Sequence, residues 1–399
     1  MGETERSRAE VGVWLLAGLA FVVGTVELVV AGVLDELAAS FAVSQGRAGL
    51  LMSLYALVYA LLGPLLVYLS AGIERRRLLA GALLAFIGAN LASAAAPSFA
   101  LLLASRLLVA ASASVIVVVA ITLAVAIVAP ERRGRAIGLV FAGIVASLVL
   151  GVPLGTLIGE FWGWRSLFLL LAGVALLGLP LLLRLLPAIP GAPGIAPAEQ
   201  LRALARGRVP FAHLASLLQM TGQFTVYTYI VPFLVGSMAL DKPTISLVLL
   251  VYGGGGGILG ALLGGRAADR WPGPATFVAF LLLHALALVL LPFATGGLPL
   301  LLGAVVFWCV FNMAPGPAIQ KYLVELSPDT AAIQISLNTS AIQLGVALGA
   351  FIGAILVDQV AVRALPWWGA ALILGAAACG WLSAQRPAAG TADCRERLD

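Results

Sequence analysis

Two charged residues in long apolar segments are the first candidates for chemistry. Glu27 lies in a run that begins at Val11 and carries no other charge before Asp35. Burial and a nearby cation act in opposite directions on the proton affinity of a carboxylic acid, so an acid between them can load and release a proton. Glu27 is therefore a candidate proton carrier. The residue also fits a site for a cationic substrate, or a purely structural hydrogen bond to a neighbouring helix.

Arg106 is the candidate partner of Glu27, because it is the only one of the 23 Lys and Arg residues that lies in the interior of an apolar span and away from its ends. At 1.5 Å per helical residue, Glu27 lies about 10 Å from Leu34 at the end of its segment, and Arg106 lies about 12 Å from Ser98 at the start of its own. These similar depths allow a direct or water-bridged pair. Arg106 also fits a bracing role on backbone carbonyls. Asp35, nearer the outer surface, is the next candidate for proton coupling.

The elements that position these residues must lie in lipid. The chain of 399 residues is 62% hydrophobic and 10% charged, with a mean hydropathy of +1.08. Soluble domains have about 45–50% apolar and about 25% charged residues. The apolar segments do not alternate as barrel strands do, so helices are the remaining way to satisfy the backbone in a membrane. The sequence predicts an all-α membrane protein.

Hydropathy predicts twelve transmembrane helices. A stretch rich in Pro and Gly, which then turns basic, follows the sixth span and separates two halves. We expect two pseudo-symmetric six-helix bundles, residues 1–186 and 210–399, joined by a cytoplasmic linker at 187–209. The first span lacks a small-residue cleavage site, which favours a retained helix. The spans lie at about 11–33, 47–70, 77–96, 98–127, 135–159, 164–186, 210–236, 243–265, 273–294, 297–321, 331–357 and 364–384.

The distribution of basic residues predicts the orientation. With the N-terminus inside, 18 Lys and Arg residues fall on the inner side and four fall on the outer side, namely Arg47, Arg165, Lys242 and Arg363. The positive-inside rule then places both termini in the cytoplasm, with a short cytoplasmic tail at the C-terminal end. A bacterial inner membrane is the expected location, and we expect a monomer.

Small residues recur every four positions in the fifth span, where Pro153 adds a bend. The eighth and eleventh spans carry similar ridges. Such ridges let helices approach closely, and we expect them to form sliding contacts between the two halves rather than inert packing alone. The ridge positions are Gly143, Ser147, Gly151, Gly155 and Gly159 in the fifth span, Gly256, Gly260 and Gly264 in the eighth, and Gly345, Gly349 and Gly353 in the eleventh.

Polar and aromatic residues inside spans of both halves suggest a mixed pocket for a moderately apolar organic molecule. Each one alone is better explained by a hydrogen bond between helices. The candidates are Tyr55, Tyr59, Gln223, Tyr227, Phe311, Asn312, Asn338 and Gln343.

Other chemistry finds little support in the sequence. His213 and His284 are isolated and fit packing or interfacial positions. The three cysteines have neither metal nor disulfide spacing. We expect no metal, cofactor or catalytic residue, and hence no enzyme. The pI of about 9.4 reflects membrane topology rather than nucleic-acid binding.

Five stretches of the sequence together indicate a family: GTVELVVAGVL, ERRGRAIGLVFAG, LGVPLGTLIGEFWGWRSLF, TGQFTVYTYIVPFL and GGRAADRW. On these stretches, the chain resembles the major facilitator superfamily over nearly its whole length, and within it the twelve-helix drug:proton antiporter branch, near arabinose-efflux-permease-like and chloramphenicol-resistance-like exporters. Two features depart from the family pattern. The first inner-loop motif has Ala71 and Gly72 where Asp and Arg are usual, and Asp35 stands where Pro is frequent.

The resemblance implies a secondary active transporter that exports a small organic molecule, such as a drug, sugar or nucleoside, in exchange for protons by alternating access. It also implies that Gly265, Asp269 and Arg270 form an intact second copy of the inner-loop latch. An uncoupled facilitator or a membrane-embedded small-molecule receptor is the alternative. Glu27 discriminates between the proton-coupled exporter and these alternatives, because an uncoupled protein has less need of an intramembrane acid.

Overall fold

The computed structural model describes residues 3–129, 132–191, 197–204, 207–327 and 330–385, and these residues form helices and no strand. Eleven of the described helices are long and apolar enough to cross a membrane. They are α1 Arg8–Gly32, α2 Gln45–Leu69, α3 Arg75–Ala94, α4 Phe99–Ala126, α5 Arg133–Trp162, α6 Trp164–Leu185, α8 Lys242–Arg270, α9 Gly273–Gly296, α10 Leu298–Leu326, α11 Ile333–Gln359 and α12 Val362–Gln385.

The remaining predicted span, α7, is two consecutive helices, Val209–Tyr227 and Ile230–Met238. The break falls at Thr228 and Tyr229. Pro232 explains it, because proline cannot donate to the carbonyl four residues earlier, which is that of Thr228, and its ring crowds that carbonyl. With α7 included, the prediction of an all-α, twelve-helix membrane fold is confirmed.

Four other spans change helix type along their length, including α12, which begins with the 3₁₀ turn Val362–Ala364. In α5, a π-helical turn over Ser147–Gly151 precedes Pro153, and in α8 the glycine run forms a π-helix over Val251–Gly257. The last turns of α9, Leu291–Gly296, are 3₁₀-helical. Such turns in long helices are frequent at functional positions.

Short helices and caps fix the connections. A corner helix, Leu34–Ser40, follows α1, and a linker helix, Pro197–Leu204, precedes α7. The Ser44 and Ser98 side chains cap the starts of α2 and α4 by accepting hydrogen bonds from Arg47 N and Leu101 N. Within the predicted linker at 187–209, residues 192–196 and 205–206 fall outside the described residues.

The chain divides into two compact units. The first unit contains Met1–Gly194 and Asp241–Leu250, and the second contains Ile195–Leu240 and Val251–Asp399. Residues Asp241–Leu250 group with the first unit because the start of α8 packs against the end of α5, where Ser246 Oγ donates to Pro153 O at 2.8 Å. The division into bundles at residues 1–186 and 210–399 stays a prediction.

The glycine ridge of α5 packs along α1, within the first unit. A Cβ at each ridge glycine would meet α1, or Val33 directly after it, at residues that keep a constant offset in sequence, so the two helices run parallel and in register. The contacts are Gly143 with Ala17, Gly151 with Thr25, Gly155 with Val29 and Gly159 with Val33.

The ridges of the second unit follow the same plan. The α11 ridge packs along α7, and the α8 ridge packs along α10. At these positions the atoms nearest to each added Cβ belong to the same unit, and the expectation of sliding contacts between the two halves stays a prediction. The contacts are Gly345 with Leu217, Gly349 with Thr221, Gly353 with Thr225 and Tyr229, Gly256 with Cys309, Gly260 with Val310, and Gly264 with Ala314.

Candidate functional site

Arg106 forms the centre of a buried cluster in the first unit. Its side chain is fully buried on α4, and Nη1 donates to the α1 carbonyl of Val26 at 2.9 Å. The guanidinium lies over the ring of Tyr55, with Cζ 4.5 Å from the ring centroid. A desolvated cation over an aromatic face gains roughly 2 kcal/mol, which offsets part of the cost of burying the charge.

Glu27 follows Val26 directly on α1 and is half-buried. It lies within electrostatic range of Arg106, Tyr55 and Tyr59. The structure therefore brings together the acid and the cation that the sequence analysis paired by depth. Arg106 also fulfils the bracing alternative, because it bonds a backbone carbonyl, so the two roles are combined in one residue.

Several polar atoms of this cluster have unused hydrogen-bonding capacity. Among the described residues, Arg106 Nε, Arg106 Nη2 and the Tyr55 hydroxyl have no hydrogen-bond partner. Arg106 Nε and Nη2 are N–H donors on a guanidinium group that is permanently charged. They could bind a carboxylate that is ionised and release it when it is protonated, which is the behaviour that a proton carrier requires.

Asp35 belongs to a different group, at the corner helix. Gln45 Nε2 donates to Asp35 Oδ1 at 2.9 Å, and the neighbouring Glu36 pairs with Lys242 at 3.2 Å. Burial raises the pKa of both Asp35 and Glu36, and the charge of Lys242 opposes this shift in each. The sequence analysis found Asp35 but missed Glu36 and Lys242. Two features of the sequence could have indicated the pair: Glu36 is adjacent to Asp35, and Lys242 is predicted to lie on the same outer side.

A second polar cluster lies in the second unit, around Gln223 on α7. Gln223 Oε1 lies 2.7 Å from Trp308 Nε1 and 3.1 Å from His284 Nε2, and Gln223 Nε2 donates to the Tyr252 hydroxyl at 2.8 Å. Asn312 Nδ2 also donates to Tyr252, at 3.3 Å. All five side chains are buried.

The hydrogen-bond directions in this cluster follow from one donor. The indole of Trp308 can only donate, so it fixes Gln223 Oε1 as an acceptor, and the neutral His284 ring must then donate from Nε2. Its Nδ1 is left as an acceptor. Among the described residues, His284 Nδ1 and Asn312 Oδ1 have no partner. The unused capacity of the cluster is thus on acceptors, which suits a ligand with hydroxyl or amine donors.

Aromatic rings surround this cluster. Tyr227 lies 5.4 Å from Tyr252 and 6.4 Å from Trp308, measured between ring centroids. Phe311 packs with other phenylalanine rings, at 4.8 Å from Phe307. The sequence analysis named Gln223, Tyr227, Phe311 and Asn312 but missed Trp308 and Tyr252 as direct partners. Tyr55 and Tyr252 lie at similar positions early in the second and eighth spans, and this correspondence was the available signal for Tyr252.

The other predicted cavity residues lie elsewhere. Tyr59 neighbours Tyr55, with 6.4 Å between ring centroids. Asn338 lies beside His213, whose Nε2 is 2.9 Å from Gln334 Oε1, and Gln334 also donates to Ala203 O in the linker helix. Gln343 is buried on α11.

The inner-loop motif residues lie at the end of α8. A Cβ at Gly265 would meet open space, and Asp269 and Arg270 are exposed. No ion pair within the described ranges involves either charged residue. In the first copy, where Ala71 and Gly72 replace the usual pair, Glu74 instead pairs with Arg76 and Arg77.

These features describe a class of protein: a multi-pass helical membrane protein with two compact units, each holding a buried polar centre. The chain belongs to the Major Facilitator Superfamily, which matches residues 16–233 and 212–396. It is a transporter of small molecules and not an enzyme.

Comparisons with individual proteins agree with this family. The chain is 32% identical over 361 residues to the MFS-type transporter YbcL of Bacillus subtilis (strain 168), covering 90% of this chain and 92% of the relative. Two solved structures share the fold. A bacterial homologue of the human lysosomal transporter Spinster, inward-facing and unoccupied, has a TM-score of 0.76 at 19% identity, over 96% of this chain and 98% of that one. A D-xylose–proton symporter has a TM-score of 0.71 at 19% identity, over 95% and 97%.

Proposed function

We propose that this transporter is a proton-coupled exporter of the drug:proton antiporter branch, which exchanges protons for a small organic molecule by alternating access. The observation that carries the proposal is the position of Glu27 beside the buried Arg106, whose Nε and Nη2 have no partner among the described residues. An uncoupled facilitator gains nothing from a charged pair inside the membrane, since burial of the charges costs several kcal/mol per ion.

In the proposed cycle, Glu27 alternates between two bonding states. When it is ionised, Arg106 and the Tyr55 hydroxyl can donate to its carboxylate. When water brings a proton, the carboxyl group becomes neutral and those donors are released. Arg106 remains charged throughout, because guanidinium does not lose its proton in proteins. The change in bonding at α1 is the event that we couple to the conformational change.

The Gln223 cluster is the proposed binding surface for substrate. Its aromatic rings fit a moderately apolar body, and its spare acceptors fit one or two hydroxyl or amine donors. Drugs, sugars and nucleosides all contain such groups. Tyr55 and Tyr59 are proposed to contribute aromatic surface in the first unit, and Asn338 and Gln343 are proposed as further polar contacts.

The proposal is tested by transport in proteoliposomes with a panel of labelled drugs, sugars and nucleosides. An antiporter concentrates its substrate in vesicles with an acidic lumen and stops doing so when a protonophore is added. Glu325→Gln, which alters an exposed carboxylate on α10, serves as a control and should transport normally. Accumulation only in vesicles with an alkaline lumen would indicate symport. Equilibration without accumulation in either gradient would indicate the uncoupled facilitator.

We also propose that the protein acts as a monomer in the bacterial inner membrane, with both termini in the cytoplasm. The 18-to-4 distribution of basic residues supports this orientation. Cys394, which lies outside the described residues, offers a test: a membrane-impermeant thiol reagent should not reach it in intact cells. Cys394→Ser gives the background from the other cysteines. Labelling of Cys394 from outside would reverse the orientation.

A further inference from the structure

A lateral cleft of about 300 Å³ opens in the first unit, apart from both polar clusters. It lies between the first turns of α1, the segment after α4 and the start of α5. Its polar lining comes from Glu10, Arg132 and Arg135, and the rest of its wall is apolar. The lateral cleft is therefore amphipathic, with charged groups where α1 and α5 enter the apolar zone.

The charges of the lateral cleft favour an anion. Arg132 Nη1 pairs with Glu10 Oε1 at 2.6 Å, which leaves the charge of Arg135 uncompensated. Arg135 is exposed and has no ion-pair partner within the described part of the chain. The first helical segment of α5, Arg133–Ala146, begins here without a side-chain cap, so its first N–H groups and its helix dipole add positive potential. The net charge of the lining is one positive unit.

The apolar wall continues from these charges towards the middle of the spans. Trp14, one helical turn beyond Glu10, is 65% exposed, and Val13, Leu139 and Ala142 extend the wall. An exposed tryptophan at the end of a span is typical of the membrane interface. A ligand that fills the lateral cleft must therefore carry an anionic head and an apolar chain.

We propose that the lateral cleft binds an anionic glycerophospholipid of the phosphatidylglycerol type. Its phosphate is held by Arg132 and Arg135, and one acyl chain lies against Trp14 and Leu139. Basic clefts between transmembrane helices are suited to such head groups. The lipid would hold the start of α1, the helix that carries Glu27, against α5.

The test uses the purified full-length protein and short-chain dioctanoyl lipids, with binding measured by native mass spectrometry and thermal shift. Dioctanoyl phosphatidylglycerol should bind more tightly than dioctanoyl phosphatidylcholine, and added salt should weaken its binding. Glycerol phosphate, which has the head but no chain, should bind at least about tenfold more weakly. Equal binding of phosphatidylcholine would overturn the proposal, and equal binding of glycerol phosphate would show a site for soluble anions instead.

One variant that should weaken lipid binding and one that should strengthen it together distinguish an effect on the binding site from damage to the fold. Arg135→Gln should weaken phosphatidylglycerol binding about fivefold, as expected for one surface cation at an anionic lipid. Glu10→Gln should strengthen it, because the competing carboxylate is removed. Arg133→Gln is the matched control, since Arg133 is an exposed arginine on the same turn that does not line the lateral cleft. An equal loss in Arg133→Gln, or weaker binding in Glu10→Gln, would contradict the proposal.

Discussion

The polar centres of the two units are built on corresponding helices but have different chemistry. In the first unit, the first, second and fourth helices supply Glu27, Tyr55 and Arg106. In the second unit, the corresponding helices supply Gln223, Tyr252 and Trp308. An acid and a cation in one unit thus correspond to an amide and an indole in the other.

The hydrogen bonds differ in the same way. Within the described part of the chain, the charged centre keeps donors without partners, whereas Gln223 uses both ends of its amide in the neutral centre. Unused donors beside an acid allow the bonding to change with protonation. An amide that is bonded at both ends, as that of Gln223 is, is held rigidly and favours a fixed arrangement of binding groups. Under the proposed function, we assign proton exchange to the first unit and substrate recognition to the second unit, and we call this assignment the division of work.

The largest expected effect is that of Arg106→Gln, which removes the cation of the charged centre. Gradient-driven accumulation should fall at least about 100-fold, because ionised Glu27 loses its strongest donor. Arg106→Lys should retain partial activity, since it keeps the charge but not the planar fork of donors. Proteoliposome transport measures both variants. Normal accumulation by Arg106→Gln would show that transport does not need the cation, and would contradict the proposal that the charged centre differs in role from the neutral one.

The next effect concerns the packing that positions Glu27. Gly155→Ala would place a methyl group against Val29 of α1, two residues beyond Glu27, and should lower the free energy of unfolding by about 1–3 kcal/mol. Gly173→Ala on α6 is the control, because a Cβ there meets nothing within 4 Å, and it should be neutral or slightly stabilising. Thermal unfolding in detergent measures both. Equal stability of the two variants would show that the α1–α5 contact is loose.

A smaller effect is expected from Trp308→Phe in the neutral centre. The substitution removes one donor to Gln223 Oε1, but His284 still donates to it. The free energy of substrate binding should therefore weaken by about 1 kcal/mol, which is roughly a fivefold loss of substrate affinity. The accumulation ratio at saturating substrate should not change. Trp381→Phe, at an exposed position on α12, is the control. A loss of proton coupling in Trp308→Phe would contradict the division of work.

The smallest effect is the pH dependence of Asp35, which lies outside both centres. Burial raises the pKa of Asp35, so the ionised form of Asp35 destabilises the folded state. The stability that is present while Asp35 is protonated is lost as the pH rises through that pKa. Asp35→Asn should therefore be more stable than the parent at pH 8, and the difference should shrink towards pH 4. Thermal unfolding across this range measures it. A difference that grows with falling pH would mean that ionised Asp35 is stabilising.

Hydropathy and charge counting were sufficient to predict the fold. Long apolar segments leave helices as the only solution for the backbone, so the spans could be located to within several residues. The break in α7 was not foreseen, although Pro232 was visible, because a proline inside a membrane helix bends some helices and interrupts others. The assignment of Asp241–Leu250 to the first unit depends on side-chain packing between distant segments, which periodicity does not encode.

The candidate sites were predicted unevenly. Glu27 and Arg106 stand out in the sequence because charge is costly in lipid, and their depths could be compared by counting residues. Trp308 and His284 give no such signal, since an isolated tryptophan or histidine usually packs. Their contact with Gln223 appears only when three helices are assembled. The glycine spacing predicted close packing correctly but could not identify the partner helix.

The central claim, that Glu27 exchanges a proton for substrate in each cycle, is tested most directly with Glu27→Gln. The variant keeps the shape of the side chain and mimics the protonated acid. In proteoliposomes with an acidic lumen, it should fail to concentrate the panel compound that the parent protein accumulates. Downhill exchange and equilibrium binding of the same compound should persist. If Glu27→Gln still concentrates that compound with the proton gradient, Glu27 is not the essential carrier, and the account is contradicted.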